Sequence, residues 1–437
     1  MKHNLYKDYG GIIFICFSVP FTVESEQLPS TEFIRKVFSD FYKNEANFIS
    51  LPPKIEEREF GFLLFSERGM LRHKSFNSIS DLHSFLENTP VSDAYHSCAY
   101  YERPEAEMDR KGWLGADLIF DIDADHIPTK CDKVHDEWVC GKCDFAGKGA
   151  TPERCPVCGG EGFDANTWPC DVCLDSAKGE TVKLLDMLMR DFGFSEKEVR
   201  VFFSGHRGYH VHVESEAVKT LDSVARKEIV DYLSGLGFDA ALYGLPEKDW
   251  RISRFLRSLK LNDFGWRGRV AKGMYNFIRD AKQEDYKNIG LKKNVVDAIE
   301  KNKIKILGNW GDVGPWVVVR GIGFGTWRRI AEFCVGSQSV KVDTVVTTDI
   351  HRLIRLANTL HGKTGLKKVE FSVSEVEGFD PFKSAVGFKK GTATVFVSDA
   401  PEFRLGDETF GPYKNQRIEL PTAAAVLLVC KGRAEVE

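Results

Sequence analysis

The chain carries no charge excess of either sign. Its 60 lysines and arginines face 64 aspartates and glutamates over 437 residues, a formal net charge of -4 at pH 7. That balance excludes a protein that coats a polyanion with its whole surface, so any nucleic-acid site has to be a local basic patch. Long hydrophobic runs are missing too. The stretch GGIIFICFSVPFTV, from Gly10 to Val23, is about 14 residues, short of the ~20 that span a bilayer. It sits behind lysines as a secretion signal would, but no small-residue cleavage site follows. A buried first strand or a start codon placed too far upstream accounts for it better. No internal repeat and no low-complexity linker breaks the chain, which removes solenoids and disordered tethers. What remains is 43% hydrophobic and 12% aromatic, ample for a sizeable core. The length predicts two or more domains, or one large core with insertions.

Cysteine, by contrast, is concentrated. Of eleven, seven fall between Cys131 and Cys173, six of them in three C-x-x-C pairs, while Cys16, Cys98, Cys334 and Cys430 are scattered. A disulfide framework suits a small secreted domain; clustered pairs in a large chain read as metal thiolates in a reducing, cytoplasmic compartment. Cys140-x-x-Cys143, eleven residues, then Cys155-x-x-Cys158 has the spacing of a zinc ribbon. Cys131, His135, Cys170 and Cys173 flank it as a second set of four. Exchanged pairing between the sets and a redox role for one pair both stay open at this level. Four ligands leave no open coordination position, so zinc here is structural.

Residues 117–125 read DLIFDIDAD. In a strand, Leu118, Phe120, Ile122 and Ala124 share one face, while Asp117, Ile119, Asp121, Asp123 and Asp125 share the other. Crowded like charges repel unless cations sit among them. Asp121 and Asp123 point the same way, a geometry that suits two divalent cations, Mg2+ or Mn2+. The plain alternative is a polar strand end at a sheet edge. Asp343, in the strand-like run VKVDTVV, offers the third carboxylate that such a cluster needs. Asp117 and Asp125 are expected in outer-shell or solvent-facing roles.

SGHRGYHVHV (204–213) follows the strand-like VRVFF. Gly205 and Gly208 permit a tight turn and close backbone approach. Arg207 offers a planar fork for phosphate. His210 and His212 share a face, and Ser204 supplies a hydroxyl. Together they predict a triphosphate cradle; a glycine hairpin with surface histidines is the plain alternative. Arg355 and His361 are further phosphate candidates. HGKTG (361–365) is not a P-loop, because Ala357 stands where the first glycine would be, and GIGFG (321–325) fails the dinucleotide fingerprint at Thr326. Arg251, Arg254, Arg257, Lys260, Arg267, Arg269 and Lys272, interleaved with Trp250, Phe255, Phe264 and Trp266, make either a nucleic-acid track or a solvated helix face over core aromatics.

Helices are predicted through 31–42, 80–89, 179–194 and much of 216–336, and strands through 59–65, 117–125, 199–203, 210–213 and several segments beyond 340. The fold class is mixed α/β. In order along the chain come an extension at 1–30, catalytic core at 31–130, a zinc-binding insertion at 131–173, core again at 174–215, a mostly helical insertion with the basic stretch at 216–336, and core at 337–437.

REFGF (58–62), FDID (120–123), the cysteines before CLDSAK, SGHRGYH, and VD at 342–343 followed by a helix ending in LHGKTGL occur in the order found in one family. The chain resembles the small, catalytic subunit of the archaeal and eukaryotic DNA primase, over roughly residues 30–437 and on the archaeal side. The resemblance implies a mixed α/β core with a zinc knuckle and a variable helical subdomain. It implies metal-binding aspartates at Asp121, Asp123 and Asp343, nucleotide contacts at Ser204, Arg207, His210, Arg355, His361 and Arg58, and a knuckle of Cys131, His135, Cys170 and Cys173. Cys140, Cys143, Cys155 and Cys158 form an addition inside that knuckle. It also implies RNA primer synthesis on single-stranded DNA from ribonucleoside or deoxyribonucleoside triphosphates, at the replication fork, as a heterodimer with a large iron–sulfur subunit. Ala357 departs from the usual proline, and residues 1–30 have no counterpart. A repair polymerase of the same superfamily, which extends ends rather than initiating, is the main alternative. A non-catalytic zinc-ribbon protein would have no use for the carboxylates and cradle, nor a nuclease for the triphosphate set.

Overall fold

The computed structural model describes residues 28–65, 69–243, 245, 259–310, 319 and 322–437. Most of the N-terminal extension, and Trp250, Arg251, Arg254, Phe255 and Arg257 of the basic stretch, lie outside the described residues.

Two four-stranded antiparallel sheets position the site. In one, the order is Leu353–Arg355, Val91–Ser97, Phe60–Leu64, Met70–Lys74. In the other it is Val369–Phe371, Val199–Phe203, Gly208–Val213, Leu118–Asp123. The Leu118–Asp123 strand forms as the alternation predicts: Leu118, Phe120 and Ile122 are fully buried in the core beside Val201, Phe203, Val211 and Val213. Against this sheet packs the helix Asp171–Arg190, which buries Leu174, Ala177, Leu184, Leu185 and Leu188. The helix begins earlier than the apolar periodicity of 179–194 indicated, because Cys170 and Cys173 already sit on its first turn. A second core lies under the helix Leu28–Glu45, whose Ile34, Phe38, Phe41 and Tyr42 recur at helical spacing and pack on Phe60, Phe62, Leu82 and Leu86.

The C-terminal segment adds a three-stranded sheet, Tyr413–Pro421, Thr392–Ala400 and Ala434–Val436, and the apolar helix Thr422–Cys430 buried behind it. Residues 216–338 are largely helical among the described residues. No helix among the described residues is long and apolar enough to cross a membrane.

Two local expectations are corrected. VKVDTVV is not a strand: Asp343 caps the short helix Thr344–Thr348, its carboxylate accepting the Val345 N–H at 2.8 Å. The segment after it is not a helix either, because Leu353–Arg355 pairs with Val91–Ser97 and the chain then turns back on itself, with Ala357 buried in the turn region. β-branched residues follow the cap, and the helical spacing of later apolar residues yields to sheet pairing with a distant strand.

Candidate active site and metal centres

The carboxylate strand and the histidine hairpin are register neighbours. Asp121 lies opposite His210 and Asp123 opposite Gly208. Gly208 is required by contact, since a Cβ there would lie 2.1 Å from the Ile122 carbonyl oxygen. Gly205 is required by conformation, at φ +89°. The Ser204 hydroxyl accepts the His206 and Gly208 N–H groups at 3.3 and 3.2 Å and so holds the turn.

Asp343 reaches this strand through its backbone, donating its N–H to the Asp121 carbonyl at 2.9 Å. Burial first, and then the charges of Asp123 and Asp343, push the Asp121 carboxyl up to about 7. Burial and Asp125 push Asp123 up to about 6. Three acids thus crowd one partly enclosed site whose nearest side-chain neighbour to Asp121 is the imidazole of His210, 3.5 Å away. Burial, followed by Lys368, Arg355 and Arg352, holds His210 well below its usual value, so it stays neutral. Such a donor set, all hard oxygens and short of counter-charge, fits divalent cations.

The wall beyond the acids is basic. His210 and His212 share one face, with ring centroids 6.5 Å apart. Lys368, completely buried, donates to the Arg355 carbonyl at 2.8 Å and lies 3.4 Å from His212. Sequence reasoning missed Lys368; its only signal was the doubled lysine after the HGKTGL turn. His361 stacks at 5.0 Å on His206, which was also overlooked.

The arginines behave differently from their sequence assignment. Arg207 is fully buried and bonds Asp136 at 2.6 Å, Asp125 at 2.8 Å and the Cys173 sulfur at 3.3 Å. Its fork is filled by protein, so it braces the hairpin rather than presenting itself to phosphate. Arg355 is held by Asp93, the Tyr95 hydroxyl and the Leu360 carbonyl. Arg58 is buried and pairs with Asp117 at 2.7 Å, while donating to the Ser97 and Cys98 carbonyls. Asp117 is accordingly neither solvent-facing nor next to the acid pair: it is interior, and also accepts the Tyr100 hydroxyl at 2.7 Å. In each case the acid that neutralises the arginine is far away in sequence, which no local motif announces.

Two sets of four ligand atoms cluster among the described residues, each with every atom within 4.8 Å of the others: Cys131, His135, Cys170, Cys173, and Cys140, Cys143, Cys155, Cys158. The His135 Nδ1 bonds Asp136 at 2.7 Å, which turns Nε2 toward the Cys131 and Cys173 sulfurs at 3.5 and 3.7 Å. Both sets suit a metal ion with soft ligands. In the basic stretch, Arg269 is tied to Asp186 and Asp191, and Arg267 to Asp263. Trp266 is buried, whereas Phe264 is 87% exposed.

A paired-carboxylate strand with a third acid docked on it, facing a wall of histidine and lysine, defines the class of metal-assisted enzymes that transfer phosphoryl or nucleotidyl groups. Within that class, the chain belongs to the DNA primase small subunit family. The family model described as DNA primase small subunit matches residues 164–373. The chain is 34% identical to the DNA primase small subunit PriS of Methanothrix thermoacetophila, covering 93% of this chain and 99% of the relative. It is 33% identical to that of Archaeoglobus fulgidus (93% and 98% covered) and 29% identical to that of Nitrosopumilus maritimus (93% and 98%).

Proposed function

We infer that the protein is the catalytic subunit of a DNA primase, which starts short RNA chains on single-stranded DNA in the cytoplasm, at the replication fork. The observation that carries this reading is the convergence of Asp121, Asp123 and Asp343 next to the Ser204–His210 hairpin in a chain that matches primase small subunits over nearly their whole length. Two Mg2+ or Mn2+ ions held by the three aspartates would lower the pKa of an attacking 3′-hydroxyl and offset charge on the departing pyrophosphate. His210, neutral and 3.5 Å from Asp121, is placed to donate to a phosphate oxygen beside them. Ser204 keeps the turn closed, and His361 with Lys368 supplies the basic wall. Arg207, Arg355 and Arg58 act on nucleotide indirectly, by fixing the elements that carry these groups.

Zinc is the ion proposed for both cysteine sets. Residues 31–130, 174–215 and 337–437 are read as one primase core; the pairing of Leu118–Asp123 with Gly208–Val213, and of Val199–Phe203 with Val369–Phe371, supports this. The zinc insertion (131–173) and the helical insertion (216–336) interrupt it. A large subunit and template DNA are the proposed partners. The repair-polymerase alternative is disfavoured because the relatives matched end to end are named primase small subunits.

The test is synthesis from labelled nucleoside triphosphates, Mg2+ or Mn2+ and a primer-free single-stranded template, beside an Asp121→Ala/Asp123→Ala double variant. A ladder of short products, absent from the variant, is expected. Extension only when a primer is supplied, even with the large subunit added, would replace this reading with the repair polymerase.

A further inference from the structure

Lys431 follows the buried helix Thr422–Cys430, and its side chain turns inward to place Nζ 2.7 Å from His206 Nε2. The residue is only 3% exposed. Among the described residues no carboxylate lies in ion-pair range of that ammonium; its contact is a neutral imidazole. His206 in turn stacks on His361 at 5.0 Å, and Lys363 stands next to His361, its backbone N–H on the His361 Nδ1 at 3.1 Å. Four basic side chains from three separate segments therefore meet at the tip of the hairpin turn that also carries Gly208, the register partner of Asp123. Burial and then the neighbouring Lys363 push Lys431 down to about 7, and burial, Lys431 and Arg207 hold His206 well below its ordinary value.

A buried cation without a counter-ion is costly for a protein to maintain. The helix C-terminus behind Lys431 offsets some of that cost. The rest would be recovered if an anion entered. A phosphate is the fitting one, since it accepts from ammonium and imidazole donors at once and brings the charge that the cluster lacks.

We propose that Lys431 and His206, with His361 and Lys363, form the pocket for the terminal phosphate of the incoming nucleoside triphosphate, at the far end of the chain of phosphates from the aspartates. This rests on the nucleotidyl-transfer reading of the aspartate site. Lys431 thereby makes the C-terminal segment part of the substrate site, and lets the protein distinguish a triphosphate from shorter nucleotides.

The experiment measures binding directly, by calorimetry with ATP, ADP, AMP, inorganic tripolyphosphate and single-stranded DNA, for the wild type, Lys431→Gln, Lys431→Arg and His206→Gln. Lys431→Gln is expected to lose about tenfold in affinity for ATP and tripolyphosphate, with AMP and DNA binding unchanged and Lys431→Arg largely restoring the loss. Without ligand it should melt no lower than the wild type, because it removes an uncompensated charge. Unchanged discrimination between ATP and AMP in both Lys431→Gln and His206→Gln overturns the proposal. So does a loss confined to DNA, which would make the cluster a template-backbone site, and so does a Lys431→Gln protein that melts lower or fails to fold. These readouts need no catalysis. A protein that binds tripolyphosphate through Lys431 yet makes no primers would refute the functional reading while leaving the pocket standing.

Discussion

The backbone N–H of Asp343 binds the backbone carbonyl of Asp121 at 2.9 Å. The two acids are thus spaced by main chain rather than by their own side chains, and Asp343 spends one carboxylate oxygen capping the Thr344–Thr348 helix. Charge and cap can therefore be separated. Asp343→Asn keeps an N-capping side chain and should fold with near-wild-type stability, yet lose about a hundredfold or more of primer synthesis. Asp343→Ala should lose the same activity and about 1 kcal/mol of stability besides. Equal melting temperatures for the two variants would show that the cap contributes nothing.

Metal-free protein should show the crowding of its acids in its pH dependence. Asp121 at about 7 and Asp123 at about 6 both lie above the value of ~3.9 expected for an unfolded aspartate. The folded state then binds more protons than the unfolded state between about pH 4 and 7, so ionisation of this pair erodes stability as pH rises through that window. Asp121→Asn should accordingly melt higher than wild type at pH 8, with the gap closing towards pH 5. Mg2+ or Mn2+ should raise the wild-type melting temperature at pH 8 and leave that of the variant nearly unmoved. Thermal scans with and without chelator at several pH values read both effects.

Arg58 and Asp117 form an interior ion pair, at 2.7 Å, with the guanidinium also donating to two carbonyls. Arg58→Met leaves a buried carboxylate alone and should destabilise by about 3–5 kcal/mol. Nucleotide affinity of the protein that remains folded should change little. A selective rise in KM at unchanged stability would return Arg58 to the nucleotide site.

The two cysteine clusters should differ in consequence. Elemental analysis is expected to find two equivalents of zinc. Cys143→Ser, in the exposed ribbon, should release one equivalent and spare primer synthesis. Cys173→Ser should release the other and lower both stability and activity, because the Cys173 sulfur is a partner of Arg207, which also holds Asp125 and Asp136. Equal activity in the two variants would argue against this linkage.

The parts of the site that could be read in the sequence are those encoded by short-range spacing. The period-two alternation of 118–123 placed Asp121 and Asp123 together, SGHRGYH gave a hairpin with its two glycines needed for different reasons, and the C-x-x-C pairs gave two ligand sets. What escaped was set by partners distant in sequence. An arginine looks alike whether it faces a phosphate or a buried acid, and Arg58, Arg207 and Arg355 meet Asp117, Asp136 and Asp93. The segment around Asp343 was misread because its apolar spacing suits several structures, and pairing with Val91–Ser97 decides among them. Lys431 carries no local signal at all.

The order in which the chain is made gives the Asp343–Asp121 contact a temporal meaning. Asp121 and Asp123 leave the ribosome long before Asp343, and at about 5–20 residues per second the third acid follows by roughly 10–45 s. Through that interval Val199–Phe203 also waits for its edge partner Val369–Phe371. The nascent protein therefore carries its first two acids without the third, and its reaction centre closes among the last events of synthesis. A chain cut short before residue 343 would be inert rather than unregulated.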